Sequence, residues 1–265
     1  MRTLQGGFAA RISRNAGKGE FFPDPVEIFN KSAAGDFVFA CEHAGNLIPA
    51  PLHGLGLSAA DLSDHIAWDI GAAQLTRMLA TRFDAPAVLQ RYSRLLCDCN
   101  RAQGAAGSIL AESDGRVIPA NAKLDEAAQK ARHESICAPF HAAISDILDR
   151  KGGRATFITI HSFTPVLDGK RRMLDVGVLH EPGNPFAEAL ARALPARADV
   201  ICRENEPYSP GEGVTYTLDM HGGARGLKNV MIEVRNDLIA NREGRTRWAD
   251  ILEQGLREAA SARTQ

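Results

Sequence analysis

The sequence predicts an α/β fold, a single three-layer α/β/α domain around a central mixed, mainly parallel sheet. Three observations predict it. Short apolar runs bounded by turn residues recur along the 265-residue chain. Segments with apolar residues three and four positions apart stand between them, as amphipathic helices require. No internal repeat and no linker interrupts the alternation, so strands and helices pack as one layered unit over residues 1–265. With 45% hydrophobic and 24% charged residues, the chain buries a core without disulfide staples.

Residues 1 to about 35, rich in Gly, Arg, Asn and Pro, are expected to form an irregular N-terminal arm with room for one short strand. From Phe37, FVFACEH reads as a buried strand that ends in polar residues and delivers the loop AGNLIP at its C-terminal end. In α/β sheets sites are built at that end. Ile66, Ile70, Ala73, Leu75, Met78 and Leu79, with Asp64 as N-cap, predict a helix over 64–82. After a turn at Asp84, AVLQRYSRLLCDCNR gives a strand and an irregular loop, and 104–121 is a long loop. The Ala-rich stretch 122–150 predicts a long helix kinked near Pro139. ATFITIHSFTP is the most strand-like run, and VGVLHEP repeats the pattern before a helix over 185–194 that has Pro185 near its start. A strand at 199–203, a Gly/Pro-rich loop, the strand NVMIEVRND and a helix from about 242 to 260 complete the chain.

Lys plus Arg number 31 against 32 Asp plus Glu, and no long basic run occurs. Nucleic acid and membrane surfaces are therefore not expected partners, and a small molecule is. Cys41, Cys97, Cys99, Cys137 and Cys202 are odd in number, form no CxxC pair and sit mostly in apolar stretches, which suits reduced core thiols. The opening segment has no apolar run of signal-peptide length, and nowhere do about 18 apolar residues follow one another. A cytoplasmic location is the expectation.

Four strands end in chemically capable residues: Glu42 and His43, His161 and Ser162, His180 and Glu181, Glu233 and Arg235. Parallel strands would gather several of these at one sheet edge. A hydrolytic zinc needs about three nitrogen or oxygen ligands and one open position, and His43, Asp69 and His161 could supply that set. Glu42 and His65 compete, His65 lying four residues before Asp69 on one face of the predicted helix. Glu233, after the apolar VMI, must pair or face a site, where it could act as general base. Arg94, Arg101, Arg225 and Arg235 fall in loops or strand ends, and guanidinium forks suit an anionic acyl-amino-acid substrate. Asp98, Asn100 and Arg101 form a compact polar cluster, and His180 and His221 are further substrate-contact candidates. Each has an ordinary reading beside the functional one: a strand-end histidine hydrogen-bonded to its neighbours, an aspartate supporting a loop, an arginine solvated at the surface.

In order along the chain, CEHAGNLIP, DHIAWDIGA, SRLLCDCNR, ITIHSFTP, VGVLHEP and MHGGARGLKNVMIEVRND resemble the N-formylglutamate amidohydrolases. That family is similar in fold to the zinc carboxypeptidases and the aspartoacylase group. The resemblance implies one zinc at the strand ends, held by His43 and His161 with Asp69 as third ligand, and Glu233 as catalytic carboxylate. It also implies that Asn100 and Arg101 grip a substrate carboxylate, with Arg235 on a second anion or the oxyanion. In the carboxypeptidase pattern a glutamate follows the first histidine by three positions; Asn46 stands there, so Asp69 or Glu42 takes its place. The implied reaction is cleavage of the N-acyl bond of an acidic amino acid, N-formylglutamate giving formate and glutamate. Two alternatives remain: a metallopeptidase or peptidoglycan amidase using the same metal and base on longer chains, and a non-catalytic anion-binding module that keeps the arginines.

Overall fold

The computed structural model describes residues 23–197 and 200–262. Its central sheet is built from β1 (Val26–Phe29), β2 (Phe37–Cys41), β3 (Ala87–Gln90), β4 (Thr156–Phe163), β5 (Val176–Leu179), β6 (Cys202–Glu204) and β7 (Lys228–Arg235). Their spatial order is β1-β3-β2-β4-β7-β5-β6. The four inner strands β3, β2, β4 and β7 run parallel. β1 lies antiparallel on β3, and β5 antiparallel on β7 with β6 parallel to it. The sheet is thus mixed and mainly parallel, as expected. β1 is the short strand anticipated in the N-terminal arm; residues 1–22 of that arm lie outside the described residues.

All eight residues of β4 are buried, which is why Phe157, Ile158, Ile160 and Phe163 do not alternate with exposed polar residues. The helices are α1 (Ala59–Ser63), α2 (Ala72–Arg82), α3 (Glu126–Arg132), α4 (Ala138–Lys151), α5 (Pro185–Ala193), α6 (Tyr216–His221) and α7 (Arg242–Ser261). Leu75 and Leu79 of α2, Leu190 of α5, and Trp248 and Leu252 of α7 pack with Phe39, Ile158 and Ile232 on one face. Phe140 and Ile144 of α4 pack with Val38, Phe157 and Met231 on the other. These are the two outer layers. No helix among the described residues is long and apolar enough to cross a membrane.

The helix expected over 64–82 is broken. Ser58 caps α1 through a reciprocal box with Asp61, α1 stops at Ser63, and α2 starts only at Ala72. The cause is Gly71, at φ +84°, where a Cβ would stand 2.4 Å from the carbonyl oxygen of Ile239. Only glycine allows the left-handed turn and the close approach together. Asp64 therefore caps no helix N-terminus, and Asp69 sits in the turn before α2, sharing no helical face with His65. The long helix expected over 122–150 is interrupted before Pro139 by a π-helical segment, His133–Cys137. β6 begins at Cys202, leaving Val200 and Ile201 of the expected strand outside it, while residue 199 lies outside the described residues; the loop 104–121 contains a short hairpin, Glu112–Ser113 against Arg116–Val117.

Candidate active site

Parallel β2, β4 and β7 bring their C-terminal ends to one edge of the sheet. Glu42 and His43 leave β2 there, and Glu233 of β7 stands in register beside His161 of β4. Gly45 lets the loop after His43 press against the segment following β3: a Cβ would be 2.2 Å from the Arg91 carbonyl oxygen, and Leu47 donates its amide to that oxygen at 3.2 Å. Asp69 comes up from the turn before α2, its amide donating to the His43 carbonyl at 2.9 Å.

The side chains converge on one oxygen. Asp69 Oδ2 lies 2.9 Å from His161 Nδ1 and 3.3 Å from His43 Nδ1, and accepts the Ser162 amide at 3.2 Å. The two imidazoles meet edge to face, ring centres 5.0 Å apart. Each ring turns its far nitrogen to another carboxylate. His43 Nε2 is 2.7 Å from Asp98 Oδ1, and His161 Nε2 makes a 3.0 Å charge contact with Glu42 Oε2. Arg94 ties the carboxylates together, with Nη2 2.9 Å from Asp98 and Nη1 3.4 Å from Asp69. Exposure is 4% or less for Glu42, His43, Asp69, Asp98 and His161. Glu233 is also buried, and its Oε2 has no hydrogen-bond partner.

Burial alone would neutralise such groups; their mutual attraction reverses this for most. Burial pushes the Asp69 and Asp98 carboxyls up, but His43 beside both, with His161 on Asp69 and Arg94 on Asp98, holds both below the usual carboxylate range. Glu42 is likewise held low against its burial, by His161. Burial pushes His161 and His43 down, and the carboxylates outweigh it: Glu42 and Asp69 raise His161 well above an ordinary imidazole, while Asp98 and Asp69 raise His43. Glu233 differs. Burial is the largest influence on it and pushes its carboxyl up to about 7, with Asp69 adding and His161 and His43 opposing.

His43, Asp69 and His161 offer ligand atoms all within 4.8 Å of one another, and among the described residues they are the group of histidine, cysteine or carboxylate side chains able to hold a metal ion. Two imidazoles and one carboxylate, each imidazole backed by an outer carboxylate, fit a divalent ion of the zinc type. Glu42 faces the outer nitrogen of His161, which fits a supporting carboxylate rather than a member of the inner trio. His65 is elsewhere, paired with Asp64 and Asp114 at 3.0 and 3.6 Å. Asn46 donates to the Leu62 carbonyl at 2.8 Å and anchors α1.

Several residues expected as substrate contacts also hold the chain together. Asn100 receives the Thr217 amide at 3.1 Å and donates to the Val214 carbonyl, clamping the loop before α6. Arg101 donates to the carbonyls of Asn100 and Gly213 at 3.0 and 2.9 Å. Arg235 is pinned by Asp175 at 3.0 Å and Asp237 at 2.8 Å, so its charge is not free for an oxyanion. Because β5 runs antiparallel to β7, His180 emerges at the opposite sheet edge, 3.0 Å from Glu204. Arg225 is also at that edge, following α6 and preceding β7, on Asp149 at 3.2 Å. His221 is buried under the sheet, 3.0 Å from His141 and stacked on it. Sequence reading set Asp98 only in a polar cluster and missed its pairing with His43, and it missed His141 as the partner of His221. A carboxylate in an irregular loop and a histidine on a helix carry no period that shows what they face.

The family model of the N-formylglutamate amidohydrolases matches residues 35–240. The chain belongs to the N-formylglutamate amidohydrolase family. A gene product of Agrobacterium tumefaciens is 40% identical, with a TM-score of 0.87 over 92% of this chain and 98% of that one. The N-formylglutamate amidohydrolase of Ralstonia eutropha JMP134 is 17% identical, with a TM-score of 0.69 over 90% of this chain and 98% of that one, a likeness of fold. Among curated proteins none matches. Membership of the family makes the protein an amidohydrolase, a hydrolase of amide bonds, and the buried cluster at the strand ends is its candidate active site.

Proposed function

We propose that this amidohydrolase is metal-dependent, with zinc as the ion, and removes a formyl or other short acyl group from the nitrogen of an acidic amino acid in the cytoplasm. N-formylglutamate, giving formate and glutamate, is the substrate to test first. The observation that carries the reading is the single oxygen of Asp69 shared by the Nδ1 atoms of His43 and His161, with a bare carboxylate, Glu233, beside them.

His43, Asp69 and His161 would hold the ion, and Asp98 and Glu42 would orient the two rings. When bound, zinc supplies Lewis acidity to water and to the amide carbonyl. Glu233 does the proton transfer. Its carboxylate takes a proton from the attacking water as the oxygen bonds to the acyl carbon, and returns it to the nitrogen as the carbon–nitrogen bond breaks. Arg94 keeps Asp69 and Asp98 in place through both steps.

The test is a panel of N-acyl amino acids assayed with and without zinc, read as free amine, on protein whose metal content is measured in parallel. Uptake of about one zinc per chain, lost in His161→Ala, is expected, with hydrolysis of N-formylglutamate following the zinc. Absence of metal uptake at neutral pH overturns the metal reading. Cleavage of peptides with no action on N-acyl amino acids would favour the peptidase alternative.

A further inference from the structure

Arg172 lies just past the tip of β4, after the hairpin 166–171, and its surroundings are unlike those of the other arginines near the site. Its guanidinium carbon stands 5.6 Å from the ring centre of Phe163 and 5.1 Å from that of Tyr208. Nη1 is 3.3 Å from the Tyr208 hydroxyl and 3.5 Å from the Thr164 carbonyl. Two aromatic rings thus hold the guanidinium in place. Among the described residues no carboxylate pairs with it, whereas Arg94 and Arg235 are spent on aspartates.

A half-buried, aromatically seated guanidinium with no anion of its own is built to receive one. Its place relative to the catalytic cluster follows from β4. Phe163 is two residues beyond His161, hence on the same face and about 6–7 Å further along the strand. Tyr208 reports the same proximity from the other side: burial raises its phenol above the ordinary tyrosine value, and Glu233 is the next cause. A carboxylate several bonds removed from the amide under attack, on an acidic side chain, can span the two strand positions between His161 and Phe163.

We propose that Arg172, seated between Phe163 and Tyr208, binds the side-chain carboxylate of the substrate's amino-acid half and selects dicarboxylic over neutral N-acyl amino acids. This rests on the amidohydrolase site proposed above and adds the residue that reads the substrate's distal charge.

The probe is glutarate, with butyrate as the one-carboxylate control, titrated calorimetrically into metal-free and zinc-loaded protein. Wild type is expected to bind glutarate at least tenfold more tightly than butyrate in both forms. Arg172→Met should weaken glutarate at least tenfold, and Arg172→Lys, which keeps the charge but loses the planar fork, should fall between. In kinetics, Arg172→Met should raise KM for N-formylglutamate tenfold or more and leave N-formylglutamine unchanged. Equal glutarate affinity in wild type and Arg172→Met overturns the proposal, as does a wild type that does not prefer glutarate to butyrate. Wild type that hydrolyses no N-acyl amino acid yet shows the Arg172-dependent glutarate preference would sink the reaction assignment alone.

Discussion

Replacing Glu42 by glutamine separates a metal ligand from a carboxylate that supports one. Glu42 is 1% exposed, and its Oε2 lies 3.0 Å from Nε2 of His161, the ring whose Nδ1 meets Asp69 at 2.9 Å. A carboxylate on the outer nitrogen fixes tautomer and ring orientation and makes the inner nitrogen a better donor. Losing such a partner costs about 10- to 100-fold in metal affinity, or about 1.4–2.7 kcal/mol. Glutamine keeps the shape and leaves an amide oxygen facing Nε2, so the loss should fall toward the lower figure. Asp69→Asn weakens the one oxygen that both imidazoles share and should abolish zinc uptake. Zinc affinity is measured by competition with a chromophoric chelator, and circular dichroism confirms that both variants are folded. If Glu42→Gln takes up no zinc while Asp69→Asn still binds it, the two carboxylates exchange roles and the proposed ligand set is wrong; unchanged affinity in Glu42→Gln removes its supporting role.

Glu233→Gln should lower kcat by about 10²- to 10⁴-fold, the usual contribution of a positioned acid–base group, while zinc content stays at the wild-type level; loss of the zinc as well would make Glu233 a ligand. As a base it works ionised. Burial raises its carboxyl to about 7 and a bound cation favours the carboxylate, so activity of the zinc-loaded enzyme should fall as pH drops through a limb below 7. His221 offers a test on stability. Burial, then His141 and Arg225, lower its pKa from 6.5 to about 3, so the native state prefers the neutral ring. Its contribution is present above the unfolded value near 6.5 and is lost as pH falls toward 3, at up to about 1.4 kcal/mol per pH unit. Urea unfolding of wild type and His221→Asn should therefore converge on acidification, and parallel stability curves would contradict the assignment.

Local pattern carried most of the architecture. The apolar runs of FVFAC, TFITIHSF and KNVMIEVR lie in strands with both faces covered, and strand ends bearing Glu42, His43, His161 and Glu233 could be read directly, since chemistry in a parallel sheet collects where such runs turn polar. The order of the motifs was enough to indicate the family. Partner identity was beyond reach of the sequence. Apolar spacing ran unbroken through 64–82, yet the approach of Gly71 to Ile239 broke the helix and freed Asp69 to reach both imidazoles. Strand direction decided more: VGVLHEP looks like the other site-bearing segments, but pairing antiparallel to β7 sends His180 to the far edge. The arginines separate in the same way. Arg235 and Arg94 are claimed by aspartates from other segments, and Arg172, which no motif marks, is left with aromatic rings and no counter-ion. Burial and periodicity are properties of one segment and are written in it; which charge meets which is a property of pairs distant in the chain, and only the folded sheet brings them within a few ångströms.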